Sequence, residues 1–273
     1  MLNLLKHELR SRWLATLLWG IGLAFFGTTY ILIFPQVEEQ ITALADWEIY
    51  RAVGFDMGSF EGFIGSTVVL FIPVILGIYV IISSTSTLTG EEEEGTLELL
   101  LAMPLKRWQI VTAKAIALGL SIFLILVIVG LGDGLVLNLS RKALDTSITF
   151  HQLFFAVLSG WPLLLVVAML GLFLGAYLPT QRAASITLTG FFILSYFMDN
   201  FASHIEPLSP LAPFSIFTYF DTSAHIFSEG AQTSNVLVLF GLAALFFALT
   251  LLSFRRRNVT VGAWPWQRAK IKD

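Results

Sequence analysis

Apolar positions in this chain fall in long blocks rather than in an alternating pattern. Six stretches hold the ~20 mainly apolar residues that a helix needs to cross a bilayer: residues 13–34, 62–90, 115–139, 152–181, 183–202 and 230–254. Four are uncharged; the third contains Asp133 and the fifth Asp199. None alternates at period two, so spanning helices are favoured over a membrane barrel. Ahead of the first block, Leu2, Leu5 and Leu9 recur at helical spacing among Lys6, Arg10 and Arg12. This predicts a short interfacial helix lying on the membrane before the chain turns in. The first block is too long for the apolar core of a cleaved leader and lacks a small-residue cleavage site, so it reads as a retained span.

The connecting segments are equally patterned. Between Pro35 and Glu61, Val37, Ile41, Leu44 and Trp47 recur at helical spacing among six acids, which predicts an amphipathic helix within an acidic outer cap. Between Ser203 and Glu229, Pro207, Pro210 and Pro213 interrupt an apolar run. Ile216, Phe217, Phe220 and Ile226 predict a re-entrant or interfacial element, with an ordinary loop packed on the helix ends as the alternative.

Composition supports a membrane protein. Of 273 residues, 56% are hydrophobic and only 13% charged, against about 25% charged in soluble domains. So few charges cannot cover a soluble surface. The absence of Cys excludes a disulfide framework, and a net charge of −3 gives no reason to expect nucleic acid. The picture is one all-α transmembrane domain over residues 1–273, with six transmembrane helices. Basic residues orient it. With the N-terminus cytoplasmic, the inner side holds Lys6, Arg10, Arg12, Lys106, Arg107, Lys114, Arg182, Arg255, Arg256, Arg257, Arg268, Lys270 and Lys272, and the outer side Arg51, Arg141 and Lys142. Both termini are then cytoplasmic in a multi-pass protein of the plasma membrane; the lack of Cys suits a bacterial cytoplasmic membrane.

The segment between the second and third blocks is the most informative. Glu91, Glu92, Glu93 and Glu94 cannot lie in hydrocarbon, where each acid costs roughly 2.5–3.5 kcal/mol at mid-bilayer. Leu97, Leu100 and Leu101 fall at i, i+3 and i+4, so one face of a helix is apolar. Pro104 ends that helix, Lys106 and Arg107 reach the headgroups, and Trp108 anchors re-entry. Two readings stand on these residues alone. One is a helix that docks in a partner's groove; the other is a solvated loop whose leucines pack on its own span ends.

Glu94-Gly95-Thr96-Leu97-Glu98-Leu99-Leu100, followed by Pro104, Arg107 and then Lys114, resembles the signature of type-2 ATP-binding-cassette exporter permeases. The order of spans and the broken segment before the last one are similar to that family along the whole chain. The resemblance implies a coupling helix that docks on a separate nucleotide-binding subunit. Its contact surface is then Glu91, Glu92, Glu93, Glu94, Gly95, Thr96, Leu97, Glu98, Leu99, Leu100 and Leu101, framed by Pro104 and Arg107. The run of four acids departs from the family pattern and implies an unusually basic docking surface on the partner. The resemblance further implies two ABC ATPase subunits and a second permease copy, in a homodimer or heterodimer, surrounded by lipid. The cargo is an amphipathic or lipophilic molecule such as an antibiotic, peptide or lipid.

No cofactor is assigned to this chain; ATP and Mg belong to the partner. Gly90 and Gly95 have the glycine spacing of a phosphate loop, but Thr96-Leu97 follows where Lys-Ser/Thr is required. No catalytic residue and no metal site is expected: His7, His151, His204 and His225 are scattered, and no Ser sits in a Gly-x-Ser-x-Gly turn. Asp133, within Gly130-Leu131-Gly132-Asp133-Gly134, is read near the outer interface. It is either a helix-end residue or a pathway or gating group. Gly20, Gly22, Gly27, Gly171 and Gly175 are candidates for close helix approach. The rival functions are a secondary transporter or channel, and a non-transporting immunity or signalling subunit.

Overall fold

The computed structural model describes residues 1–45, 59–93, 105–144, 146–202 and 205–256. All regular structure among them is helical. Helix α1 is Leu2–Ala45. Helix α2 is Phe60–Gly90, and one further turn, Glu91–Glu93, follows it. Helix α3 is Arg107–Leu144. Helices α4, Phe150–Leu158, and α5, Gly160–Tyr177, make one broken rod. Helix α6 is Gln181–Ala202. Short 3₁₀ turns at Glu206–Phe214 and Phe217–Tyr219 and the single-turn helix α7, His225–Ser228, lead to α8, Thr233–Arg256.

Five helical rods are long and apolar enough to cross a membrane: Leu2–Glu38, Phe60–Gly90, Arg107–Lys142, Phe150–Tyr177 and Thr233–Arg255. The predicted fifth block is the 22-residue α6, but it is not among them. Its hydroxyl-bearing residues and the polar ends Gln181, Arg182, Asp199 and Asn200 dilute its hydropathy. Two of its serines are matched by partners in the bundle. The Ser185 and Thr85 hydroxyls share a hydrogen bond of 2.8 Å. Ser195 Oγ accepts from the Ile216 amide at 2.8 Å.

The predicted interfacial helix is not a separate element. α1 continues without a break from Leu2 into the first span and on through Pro35 to Ala45. The expected turn near residue 12 is therefore corrected, and the reason is packing. Leu4, Glu8 and Thr16 are buried on the face that meets the rest of the bundle, and that contact keeps the helix running straight into the span. Val37, Ile41 and Leu44 likewise extend α1 rather than form a helix of their own. Trp47 and the rest of residues 46–58 lie outside the described residues.

Helices in lipid gain little by burying apolar area, so they associate through close van der Waals approach at small residues. α1 and α3 run parallel, with Gly20 against Ile128, Gly132 against Ala24 and Gly27 against Asp133. Gly171 on α5 abuts Ser84 on α2, and Gly77 on α2 receives the Phe192 ring of α6. Gly22 is different: a Cβ there meets nothing, so this glycine makes no close approach to another helix of this chain. α2 is interrupted by π turns at Gly65–Val69 and Ser86–Gly90. Around them Ser66, Thr67, Thr87 and Thr89 bond back to carbonyls one turn earlier, a habit that bends helices.

The interrupted outer segment packs on the ends of the bundle. Ile216, Phe217, Phe220 and Ile226 are all buried, and the carbonyl of Thr222 lies against Gly65. An outer cavity of about 580 Å³ opens between this segment, α2, α6 and α8, with Asp199, Asp221, His225 and Glu229 in its wall.

The glycine contacts predict a contrast. Gly171→Leu forces a side chain into Ser84, and overpacking of this kind costs about 1–3 kcal/mol. Thermal unfolding in detergent should show a clear fall in Tm. Gly22→Leu should stay within about 0.5 kcal/mol of the wild type.

Candidate functional site: an ionic joint at the start of α1 and α3

Three helices bring charge to one buried point. α1 places Glu8 and Arg12 one turn apart on the same face, with Arg12 Nη2 3.6 Å from Glu8 Oε2. α3 contributes Lys114, two turns into the helix and wholly buried. The turn after α2 contributes Glu91. Lys114 Nζ donates to Glu8 Oε1 at 2.6 Å and to Glu91 Oε1 at 2.5 Å. Arg12 Nη2 also donates to Thr87 Oγ1 at 2.8 Å, in the π turn of α2.

The cluster balances two carboxylates with two cations. That balance is what permits the burial: an isolated buried ion costs several kcal/mol, and pairing with good hydrogen bonds offsets it. Glu91 records the competition. Burial pushes its carboxyl above the ordinary carboxylate range, and the Lys114 ammonium pulls against that shift.

The same stretch of chain reaches the other helices. Glu93 Oε1 accepts from the Gln181 amide at 2.8 Å, which places a carboxylate on the N-terminus of α6. Thr89 Oγ1 donates to the Gly175 carbonyl of α5 at 3.0 Å. Arg107 Nη1 donates to the Phe254 carbonyl at 3.2 Å, which places a cation on the C-terminal turn of α8. Residues 85–93 therefore touch α1, α3, α5 and α6 together. The arrangement contains no nucleophile–base pair, and among the described residues no group of His, Asp and Glu is set to hold a metal. What it can do is mechanical: load applied just after Glu93 is passed to the inner ends of several helices.

Of the predicted contact residues, Glu91 and Glu93 turn toward this chain's own helices, and Arg107 sits at the start of α3. Glu92 lies in the same helical turn. Glu94, Gly95, Thr96, Leu97, Glu98, Leu99, Leu100, Leu101 and Pro104 lie outside the described residues. Glu8 was missed in the sequence, and Arg12 counted only toward orientation. One signal was available: Glu8 is the only acid before Glu38 and stands four residues ahead of Arg12.

Asp133 departs from the helix-end reading. α3 continues past it to Leu144. At 1.5 Å per residue, Asp133 lies about 12 Å below the level of Arg141. Its side chain is wholly buried and faces Gly27 of α1. The joint at Lys114 and this acid thus lie at two levels of the same α1–α3 pair.

A family model described as ABC-2 family transporter protein matches residues 2–259. No curated protein matches the chain.

The joint yields two predictions. Lys114→Met takes the wholly buried cation away from Glu8 and from the part-buried Glu91, and breaking a buried pair costs about 3–5 kcal/mol. Tm should drop sharply, and adding Glu91→Gln to Lys114→Met should recover much of the loss, because Arg12 and Glu8 remain matched. The second concerns pH. A raised folded-state pKa makes the Glu91 contribution greatest below the ordinary glutamate value, about 4.3, and that contribution is lost as pH rises through the folded-state value. Unfolding of Glu91→Gln and wild type across about pH 4 to 8 should show the difference moving in the variant's favour as pH rises.

Proposed function

The chain belongs to the ABC-2 transporter protein family, and from that premise we propose that it is the permease half of an ATP-driven exporter. This is a multi-pass membrane permease, a transport component of an ABC transporter. In the fuller reading the ATPase is a separate subunit, present in two copies, that docks on the segment from Glu91 to Leu101. Two permease copies line a pathway between them. ATP binding closes the ATPases, moves the docking segments and turns the pathway from inward- to outward-facing. ATP and Mg stay on the partner.

The observation that carries this reading is the ionic joint. The docking segment begins at Glu91, whose carboxylate is tied to Lys114 on α3 and through it to Glu8 on α1. A push on the segment has a stiff connection to two spanning helices. An unattached acidic loop offers none.

The reading also counts α6 as a sixth span, which returns both ends to the cytoplasmic side. α6 lies antiparallel to α2, with Ser185 beside Thr85 at the inner end and Phe192 against Gly77 farther out. Its residues 181–202 cover about 33 Å at 1.5 Å per residue, close to the hydrocarbon thickness of about 30 Å. Neighbouring helices supply the hydrogen bonds that lipid does not. The exposed apolar faces of α1 (Leu18, Ile21, Phe25) and α8 (Leu237, Leu245, Leu252) are surfaces for lipid or the second copy. An amphipathic or lipophilic cargo fits a pathway formed between such faces. A secondary transporter remains the rival, and transport driven by an ion gradient without any ATPase would decide for it.

The test separates docking from folding. Leu97→Asp with Leu100→Asp should reduce co-purification of a co-expressed ABC ATPase at least tenfold while leaving the Tm of the permease unchanged. Undiminished co-purification would refute docking at this segment.

A further inference from the structure

Asp133 is wholly buried within a membrane-spanning helix. Neither of its carboxyl oxygens has a hydrogen-bond partner. The Thr28 backbone amide lies beside it but outside hydrogen-bonding geometry. The carboxyl occupies the space that a Cβ on Gly27 would fill, so α1 lies flush against it and leaves no gap for hydration on that side.

The charged and titratable groups around it are few. On α1, Ala24 and Gly27 lie against this part of α3, and the Thr28 backbone amide lies beside the carboxyl. Between Trp13 and Val37 that helix carries one titratable side chain, Tyr30, whose ring packs on Phe26 and Phe63. α4 packs on Gly130 and Gly134 through Phe154 and Phe150; its His151 is exposed. On α3 itself the next charged residue outward is Arg141, which donates to the carbonyls of Thr146 and Ser147. Among the described residues, no ion pair involves Asp133.

An ionised carboxylate that is buried and has no cation beside it is a costly state for a side chain in a membrane, and one neighbouring backbone amide does not replace a counter-ion; the neutral acid avoids that cost. The contrast with Glu8 and Glu91 is direct, because those acids have cations and Asp133 has none beside it. We propose that Asp133 is a proton-binding site within the membrane: a neutral carboxylic acid while α1 and α3 are closed on each other, which ionises when the pair parts and water reaches it. The O–H bond of the acid breaks, its electron pair stays on the carboxylate, and the proton passes to the entering water. The reverse step accompanies closure. The joint at Lys114 clamps the inner ends of the same two helices, so motion of the docking segment reaches this site through one helix pair. That link to transport rests on the permease reading; the proton site itself does not.

Infrared spectroscopy of the chain in lipid nanodiscs tests the site. At neutral pH the wild type should show the carbonyl band of a protonated carboxylic acid. Isotopic labelling of the aspartate side-chain carbonyl should shift that band, and Asp133→Asn should abolish it. Asp133→Glu, which keeps the acid, should leave a band that the aspartate label no longer moves. Absence of a label-sensitive band in the wild type, or its persistence in both variants, overturns the proposal.

Exchange into heavy water tests the gate. The band should shift slowly at rest and at least tenfold faster when the ATPase subunit turns over Mg-ATP. Equal rates with a bound, active ATPase overturn the gating link. Failure of the ATPase to bind at all counts against the permease reading instead, and leaves the resting band to decide the proton site.

Discussion

A lysine with no solvent exposure needs counter-charge, and the inner half of this molecule is arranged around supplying it. Lys114 takes one carboxylate from α1 and one from the turn that follows α2. Arg12 supplies the second cation, so the buried cluster is neutral as a whole. The partners cannot drift apart without leaving an ion unpaired in a medium that solvates it poorly. This fixes where the inner end of α1 sits and where α2 ends. Electrostatics settles the geometry here because apolar burial, the usual organiser of a core, contributes little between helices in lipid.

The outer half of the same helix pair is organised differently. There, α1 and α3 meet through Gly20, Ala24, Gly27 and Gly132, and the contact is tight enough that added side-chain atoms overlap. Asp133 lies inside that contact with no cation beside it. One pair of helices thus carries a fully matched charge cluster at its inner end and an unmatched acid nearer its outer end. The first resists separation of the helices. The second favours separation once water is present. A helix pair with opposing preferences at two levels has the ingredients of a two-state element.

Helix α6 shows how packing within the bundle answers polar groups in a less apolar helix. α6 is diluted by serines, threonines and polar ends, and by composition it falls below the five more apolar rods. Ser185 and Ser195 are directed into the bundle, where Thr85, Ser215 and the Ile216 amide meet them. A helix whose hydrogen-bonding groups are answered by neighbours does not need the apolar excess that a lipid-exposed helix needs. α1 makes the complementary point. Its first twelve residues have the pattern of a surface helix, yet they continue straight into the span because Leu4 and Glu8 are held from the side.

Local composition determined much of this protein. Long uncharged blocks can only be buried in lipid or in protein, so the helical membrane class and five of the spans follow from hydropathy. The asymmetry of basic residues yields an orientation from charge alone. The glutamate run, the leucine spacing and Pro104 predict a helix outside the membrane, and the motif around them points to the family that the chain matches. Pairing across the bundle was decided only by the tertiary structure. Glu8 and Lys114 are separated by 106 residues, and no periodicity connects them. Gly22 and Gly27 are the same residue type within one span, but only Gly27 touches α3. Asp133 reads as a helix-end or kink residue because it stands 19 residues past Lys114, about 28 Å along a helix; the glycines around it prove to be contacts for Ala24, Phe150 and Phe154. Sequence states which groups must leave water or stay near it. Which buried group answers which depends on distances between helices, and those exist only once the bundle has packed.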